Sequence, residues 1–130
     1  PHALDVHPDH TATAEALGRA WFLAGLRNHR PDLGAPHRPR LFLRYPGNRP
    51  VEPTLVVDIG GVAAAKAELV RCYASQLTAG DRSHFVQGLD LLERAEVRDR
   101  FFGARIAAAA AEPFWHDGPV PIRAVETLLG

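Results

Sequence analysis

Eleven prolines and eleven glycines cut this chain of 130 residues into short segments, and few of those segments read as strands. That punctuation constrains the fold more than any other feature, because proline ends a helix or confines a strand to an edge, and glycine releases the chain into turns. Residues 40–45 place Leu41, Leu43 and Tyr45 on one side, and the turn Pro46-Gly47-Asn48 ends them. Residues 54–59, TLVVDI, form a β-branched apolar run stopped by Gly60-Gly61. Helical spacing accounts for most of the remainder. A helix is expected from Pro8, its first residue, to the neighbourhood of Gly25 or Asn28, with its second half (Trp21, Phe22, Leu23, Leu26) buried nearly all round. A second is expected over 62–77 on the stripe Val62, Ala65, Leu69, Cys72 and Tyr73. A third helical region spans 83–112, jointed near Gly103, filled by the alanines at 107–111 and closed by Pro113. The end, PVPIRAVETL, suits a strand that Pro119 and Pro121 would hold at a sheet edge. The alternation predicts an α/β fold, one domain over residues 1–130, with a sheet that is thin and incomplete for its class. Leu41, Leu43, Val56, Val57, Leu69 and Trp21 are its expected core.

Charge narrows the partners. Fifteen basic residues balance fifteen acidic ones, so the chain lacks the basic excess that counterion release on nucleic acid needs. Residues 27–44 hold five Arg and two His against Asp32 alone, which reads as a basic loop or as a solvated Pro-rich connection. Lys66 is the only lysine, so arginine is simply the chain's usual cation, and the second reading is preferred. No apolar run approaches the roughly 20 residues a bilayer requires, and PHALDVHPDH lacks the pattern of a signal peptide. Cys72 stands alone, which forbids an intrachain disulfide and fits a cytoplasmic location; its place on the apolar stripe makes it an expected small core hydrophobe. The chain starts without Met and in what reads as a loop, so a processed protein or a fragment is expected. Apolar surface left by an incomplete sheet would favour association, a homo-oligomer among the possibilities.

The densest chemical signal is DVHPDH, residues 5–10. With Pro8 opening the helix, His7 falls at the cap and His10 in the first turn, so both imidazoles leave the same helix end. Asp9 is placed to hold the N–H of His7 and fix its tautomer. Surface histidines beside a helix cap are the plainer alternative. A catalytic zinc takes three protein donors and leaves one position for water, so a third donor must come from elsewhere.

The stretch HPDHTATAEALGRAWFLAGL, followed by HRPRLFLRYPGN, EPTLVVDI, YASQL and AEPFW, resembles the zinc-dependent N-acetylglucosamine deacetylases of the PIG-L or LmbE-like family. The resemblance runs along nearly the whole chain and is nearest to the bacillithiol biosynthesis branch, which deacetylates N-acetylglucosaminyl malate. It implies a Zn2+ cofactor, an N-acetylated amino-sugar conjugate as substrate, His10 as a zinc ligand, and His7 as the group that stabilises the oxyanion or protonates the leaving amine, oriented by Asp9. It also implies a Rossmann-like parallel sheet flanked by helices, with added edge strands. The family's N-terminal AHPDD-E segment, which supplies the other zinc ligands and the general base, does not occur in these 130 residues. The chain is therefore expected to be the C-terminal part of such an enzyme, the alternative being a non-catalytic relic or interaction module of the same fold. Ala110 stands where related members carry Tyr, so that hydroxyl has no counterpart.

Asp58 and Glu112 are charged residues in apolar settings, for which a structural hydrogen bond or a helix cap is the simpler reading. Ser75 and Gln76 have no neighbouring base. His2, His29, His37, His84 and His116 lack ligand spacing and are expected at the surface or in loops.

Overall fold

Proline lacks the N–H that a first helical residue would leave unpaired, and its φ is already helical, so HPDH starts a helix where it stands. In the computed structural model, which describes residues 1–77, 90–120 and 122, helix α1 spans Pro8–Ala24 with His7 as its N-cap. Strand β1 (Leu55–Asp58) follows, then α2 (Ala63–Arg71), α3 (Leu91–Arg105) and β2 (Ala111–Phe114). Asp90 and Glu93 close a reciprocal capping box at the start of α3, each side chain accepting from the other's backbone N–H at 2.8 and 3.0 Å.

The two strands pair antiparallel, Leu55 opposite Phe114 and Asp58 opposite Ala111. Arg44 extends this ladder through a bridge to Trp115, N–H to O distances of 2.9 and 2.8 Å. Helix α3 packs on β2, and α2 on α3. The architecture is thus a small α/β arrangement. Among the described residues its sheet is two-stranded and antiparallel, not the parallel sheet expected from the family resemblance. No described helix is long and apolar enough to cross a membrane.

Several expectations need correction. Residues 40–45 contribute only the bridging Arg44, and 62–77 yields a helix that stops at Arg71, followed by a 3-10 turn at Ala74–Gln76. There is no joint at Gly103, because α3 runs through it to Arg105. The alanine run leaves the helix: Ala107 has φ +58°, a left-handed conformation costly for alanine, and Ala108 N–H turns back to Gly103 O at 2.9 Å. Pro113 closes no helix and sits within β2, an edge strand that tolerates its missing N–H. The expected helical start at 83–89 and nearly all of the terminal strand lie outside the described residues.

Among the described residues the buried apolar core is small: Ala14, Ile59, Ala95, Phe102, Ala110 and Ala111. Of the six residues expected there, Trp21, Leu43 and Val56 are half-buried and Leu41, Val57 and Leu69 are exposed, Leu69 at 69%. For Leu69 the cause is the rotation of α2. It turns Ala63, Lys66, Ala67 and Val70 inward, and leaves its apolar stripe of Val62, Ala65, Leu69, Cys72 and Tyr73 facing away from the described residues. Cys72 is exposed, its Sγ 3.6 Å from Glu68 O, and Phe22 of α1 and Leu26 just beyond it are also at the surface. Three of the five arginines of the 27–44 segment meet internal partners: Arg30 pairs with Asp32, Arg38 lies 5.0 Å over the Trp21 ring, and Arg44 pairs with Asp117.

Gly103 fixes how closely β2 approaches α3. A Cβ there would stand 2.6 Å from Ala108 O and 2.9 Å from the backbone of Ala110, neither of which is a movable side chain. Gly103→Ala is therefore expected to destabilise by about 1 to 3 kcal/mol, overpacking outweighing the gain of up to about 1 kcal/mol in helix propensity. A lowered urea midpoint of the full-length protein at unchanged slope checks it, and a raised midpoint would contradict this packing.

Candidate active site at the start of the first helix

The two histidines of HPDH are set differently although they lie within one helical turn. His7 caps α1: its Nδ1 accepts the backbone N–H of Asp9 at 3.2 Å. In the neutral ring the proton must then reside on Nε2. His10 faces the opposite arrangement, its Nδ1 lying 3.0 Å from Asp5 Oδ2, a carboxylate oxygen that only accepts. The neutral His10 ring therefore carries its proton on Nδ1 and presents a lone pair at Nε2. The rings stack, with centroids 4.8 Å apart and planes 25° apart. One helix end thus carries an N–H donor and a bare imidazole nitrogen side by side.

Asp9 does not do what the spacing suggested. Its carboxylate is 87% exposed and its Oδ2 stands 3.9 Å from His7 Nδ1, beyond hydrogen-bond reach. The peptide N–H of Asp9 holds His7 instead, because the helical turn brings that N–H under the capping ring before the side chain can reach it.

The residue that sequence reasoning passed over is Asp5. Its side chain is fully buried. Oδ1 accepts from His7 N–H at 2.9 Å and Asn48 Nδ2 at 3.3 Å, and Oδ2 accepts from Asn48 N–H at 2.9 Å and from the His10 ring. Burial alone would push the Asp5 carboxyl up, but the bonds from His7, His10 and Asn48 outweigh it and hold the group well below the usual carboxylate range. Asn48 is fixed in turn by Arg94, whose Nη2 donates to its Oδ1 at 2.9 Å. Gly47 must lack a side chain, since a Cβ would overlap Asp5 Oδ2 and fall 2.8 Å from His10 Nδ1. The Pro46-Gly47-Asn48 turn is therefore the wall against which Asp5 and His10 are held. The signal was present in DVHPDH as a carboxylate five residues before His10, but only the turn 43 residues later shows that it is buried.

A cleft of about 520 Å³ opens beside His10, between residues 45–51 and α3. On the far side of α3, Lys66 bonds Asp99 and Glu112, each at 2.6 Å, and Asp99 Oδ1 is buried with no hydrogen-bond partner among the described residues. Glu112 thus makes the structural contact expected of it, as does Asp58, which accepts Gly60 N–H at 2.8 Å. His2, expected at the surface or in a loop, lies outside helix and strand but is buried edge-on against Trp115 at 4.8 Å, and burial followed by the Arg44 charge pushes its pKa down. Among the described residues no group of three or more His, Cys, Asp or Glu side chains is placed to hold a metal ion.

No protein-family model matches the sequence. Among solved structures the chain is similar to the crystal structure of the conserved protein TT1542 from Thermus thermophilus, at 32% identity and a TM-score of 0.79. That similarity covers 94% of this chain and 51% of the other, so the chain spans about half the length of the protein it matches.

Proposed function

We propose that this chain is the C-terminal part of a zinc-dependent deacetylase of the PIG-L or LmbE-like type, acting on an N-acetylglucosaminyl conjugate of the N-acetylglucosaminyl malate kind used in bacillithiol biosynthesis. The observation that carries the reading is the pair of opposed hydrogen-bond partners at the Nδ1 atoms of His7 and His10, a backbone N–H for one and a buried carboxylate for the other. A carboxylate behind an imidazole is the usual support of a metal-ligating histidine, and Asp5 stands in that relation to His10. His10 Nε2 fits one position of a zinc site, and the other donors would come from polypeptide beyond the described residues. Zinc, when bound, polarises the acetyl carbonyl and lowers the pKa of its water toward about 7.

The chain's own groups then have definite tasks. Asp5 and the turn at 46–48 hold His10 in register. His7 keeps a proton on Nε2, from which it can donate to the amide oxygen as charge develops, or pass the proton to the departing nitrogen. Water adds to the carbonyl carbon, the C–N bond breaks, and acetate and a free amine result. The parallel Rossmann-like sheet belongs to the same proposal: the outward apolar stripe of α2 supports a further layer of polypeptide packing there. That stripe equally favours a second reading, an interaction module of the same fold without a complete metal site.

Acetate release from N-acetylglucosaminyl malate by the full-length protein decides between them. The deacetylase reading expects turnover that falls at least about 100-fold after chelation and returns with Zn2+. Turnover indifferent to chelation, or none in a zinc-loaded protein, overturns it.

A further inference from the structure

The cleft beside His10 has an electrostatic character that deacetylation alone does not require. Its lining includes three guanidinium groups, Arg49, Arg94 and Arg98, and no acidic side chain among the described residues. Elsewhere among the described residues several arginines are matched to carboxylates: Arg19 to Glu15, Arg30 to Asp32, Arg44 to Asp117, Arg71 to Glu68 and Arg105 to Glu52. Those of the cleft are not. Arg94 Nη2 donates to the Asn48 side-chain oxygen at 2.9 Å and Arg98 Nη1 to Pro46 O at 3.0 Å, both neutral acceptors. Arg98 Nε is buried without a hydrogen-bond partner among the described residues, and Arg49 is exposed.

Arg94 and Arg98 are four residues apart on α3, a spacing that brings like charges together and costs a few tenths of a kcal/mol unless something negative lies between them. Burial, and then the Arg98 charge, work against the Arg94 cation, with the Asp5 carboxylate offsetting part of this. Asp5 is already engaged by four hydrogen bonds and lies behind His10. Arg94 and Arg98 are therefore held on neutral anchors and paired with no carboxylate among the described residues, which leaves their charge to be met by an oxyanion in the cleft. A guanidinium presents parallel donors that match a carboxylate or phosphate edge, and such charge-assisted bonds are about twice as strong as neutral ones.

We propose that this cleft is an anion subsite, in which Arg94 and Arg98, with Arg49 at the rim, hold a carboxylate or phosphate group carried by the molecule whose acetamide is presented to His10. The second half of that statement rests on the deacetylase reading; the subsite itself does not. Arg94 has a further role through Asn48 and Asp5, and so is also a positioning residue for His10.

Calorimetric titration of the full-length protein with L-malate, with inorganic phosphate and with neutral methyl N-acetylglucosaminide tests it at low salt. Malate affinity should fall about tenfold or more in Arg94→Gln and in Arg98→Gln. Arg19→Gln, an exposed residue of α1 paired with Glu15, should bind malate as the wild type does. Because Arg94 and Arg98 also tether the 46–48 turn, Arg49→Glu supplies a variant with no internal partner to lose, and it should weaken malate by about fivefold with unchanged thermal unfolding. Malate bound more tightly than phosphate identifies the group as a carboxylate, and the reverse order identifies it as a phosphate ester. Malate and phosphate binding no tighter than that of the neutral glycoside, or unaltered by all three cleft variants, overturns the proposal. Arginine-dependent malate binding in a protein that releases no acetate supports the subsite and overturns only the deacetylase reading.

Discussion

His10→Ala in the full-length protein is expected to lose its stoichiometric zinc, whereas His7→Ala is expected to keep it and to lose about 100- to 1000-fold in deacetylation rate, or about 3 to 4 kcal/mol of barrier. The two side chains differ by three positions and stack ring on ring, so proximity does not separate them. Hydrogen bonding does. Asp5 occupies Nδ1 of His10 and leaves Nε2 as a donor of electron density, and removing one of three protein ligands leaves an incomplete coordination sphere. The Asp9 N–H occupies Nδ1 of His7, so His7 offers a proton and not a lone pair. Metal analysis and acetate release on the same preparations read the two effects independently. Full zinc retention by His10→Ala, or equal zinc loss in both variants, would reverse or remove these assignments.

How much of this was readable beforehand follows from the range of the interactions. The start of α1 was, because Pro8 and the cap at His7 are local, and so was β1, whose β-branched run needs only its own sequence. The start of β2 was not. Ala107–Ala110 has high helix propensity, and it is the backbone contact of Gly103 with Ala108 and Ala110 that turns the chain out of the helix. The inward face of α2 was misassigned for a different reason. Periodicity finds an apolar stripe but does not say which neighbour covers it, and the described residues cover the Lys66 face, where the ammonium reaches Asp99 and Glu112.

The site divides along the same line. His7 and His10 could be named from spacing, since one helix turn sets their relation. Asp5, Asn48 and Arg94 could not, because their link joins residues 5, 48 and 94 across three separate segments. Asp9 illustrates the converse: its spacing to His7 was right, but the backbone group, not the carboxylate, makes the bond. Sequence distance identifies which side chains share a helix end, and only the fold identifies which atom is turned toward which.

Asp5→Asn is the substitution that should expose this hidden support, through stability and metal affinity together. The buried carboxylate accepts four hydrogen bonds, and an amide of the same shape keeps one accepting oxygen while setting an NH2 group against donors from Asn48 or the His10 ring. Leaving buried donors unmatched costs about 1 to 3 kcal/mol per group, so a loss of about 2 to 4 kcal/mol is expected, and more for Asp5→Ala. The same change frees the His10 proton to move to Nε2, which should weaken zinc by about 10- to 100-fold. The pH dependence has a definite sign. The Asp5 pKa is held below its ordinary value in the folded protein, so the ionised group stabilises the fold above the usual carboxylate range, and that contribution shrinks as the pH falls below this range and is gone only below the lower pKa of the folded protein. The gap between wild type and Asp5→Asn, measured by urea unfolding, should therefore be widest at about pH 7 and smaller at about pH 3, where the wild type has begun to lose what the amide never had. A gap that widened on acidification, or an Asp5→Asn protein that bound zinc and unfolded like the wild type, would mean that Asp5 merely fills space behind His10 and does not set its tautomer.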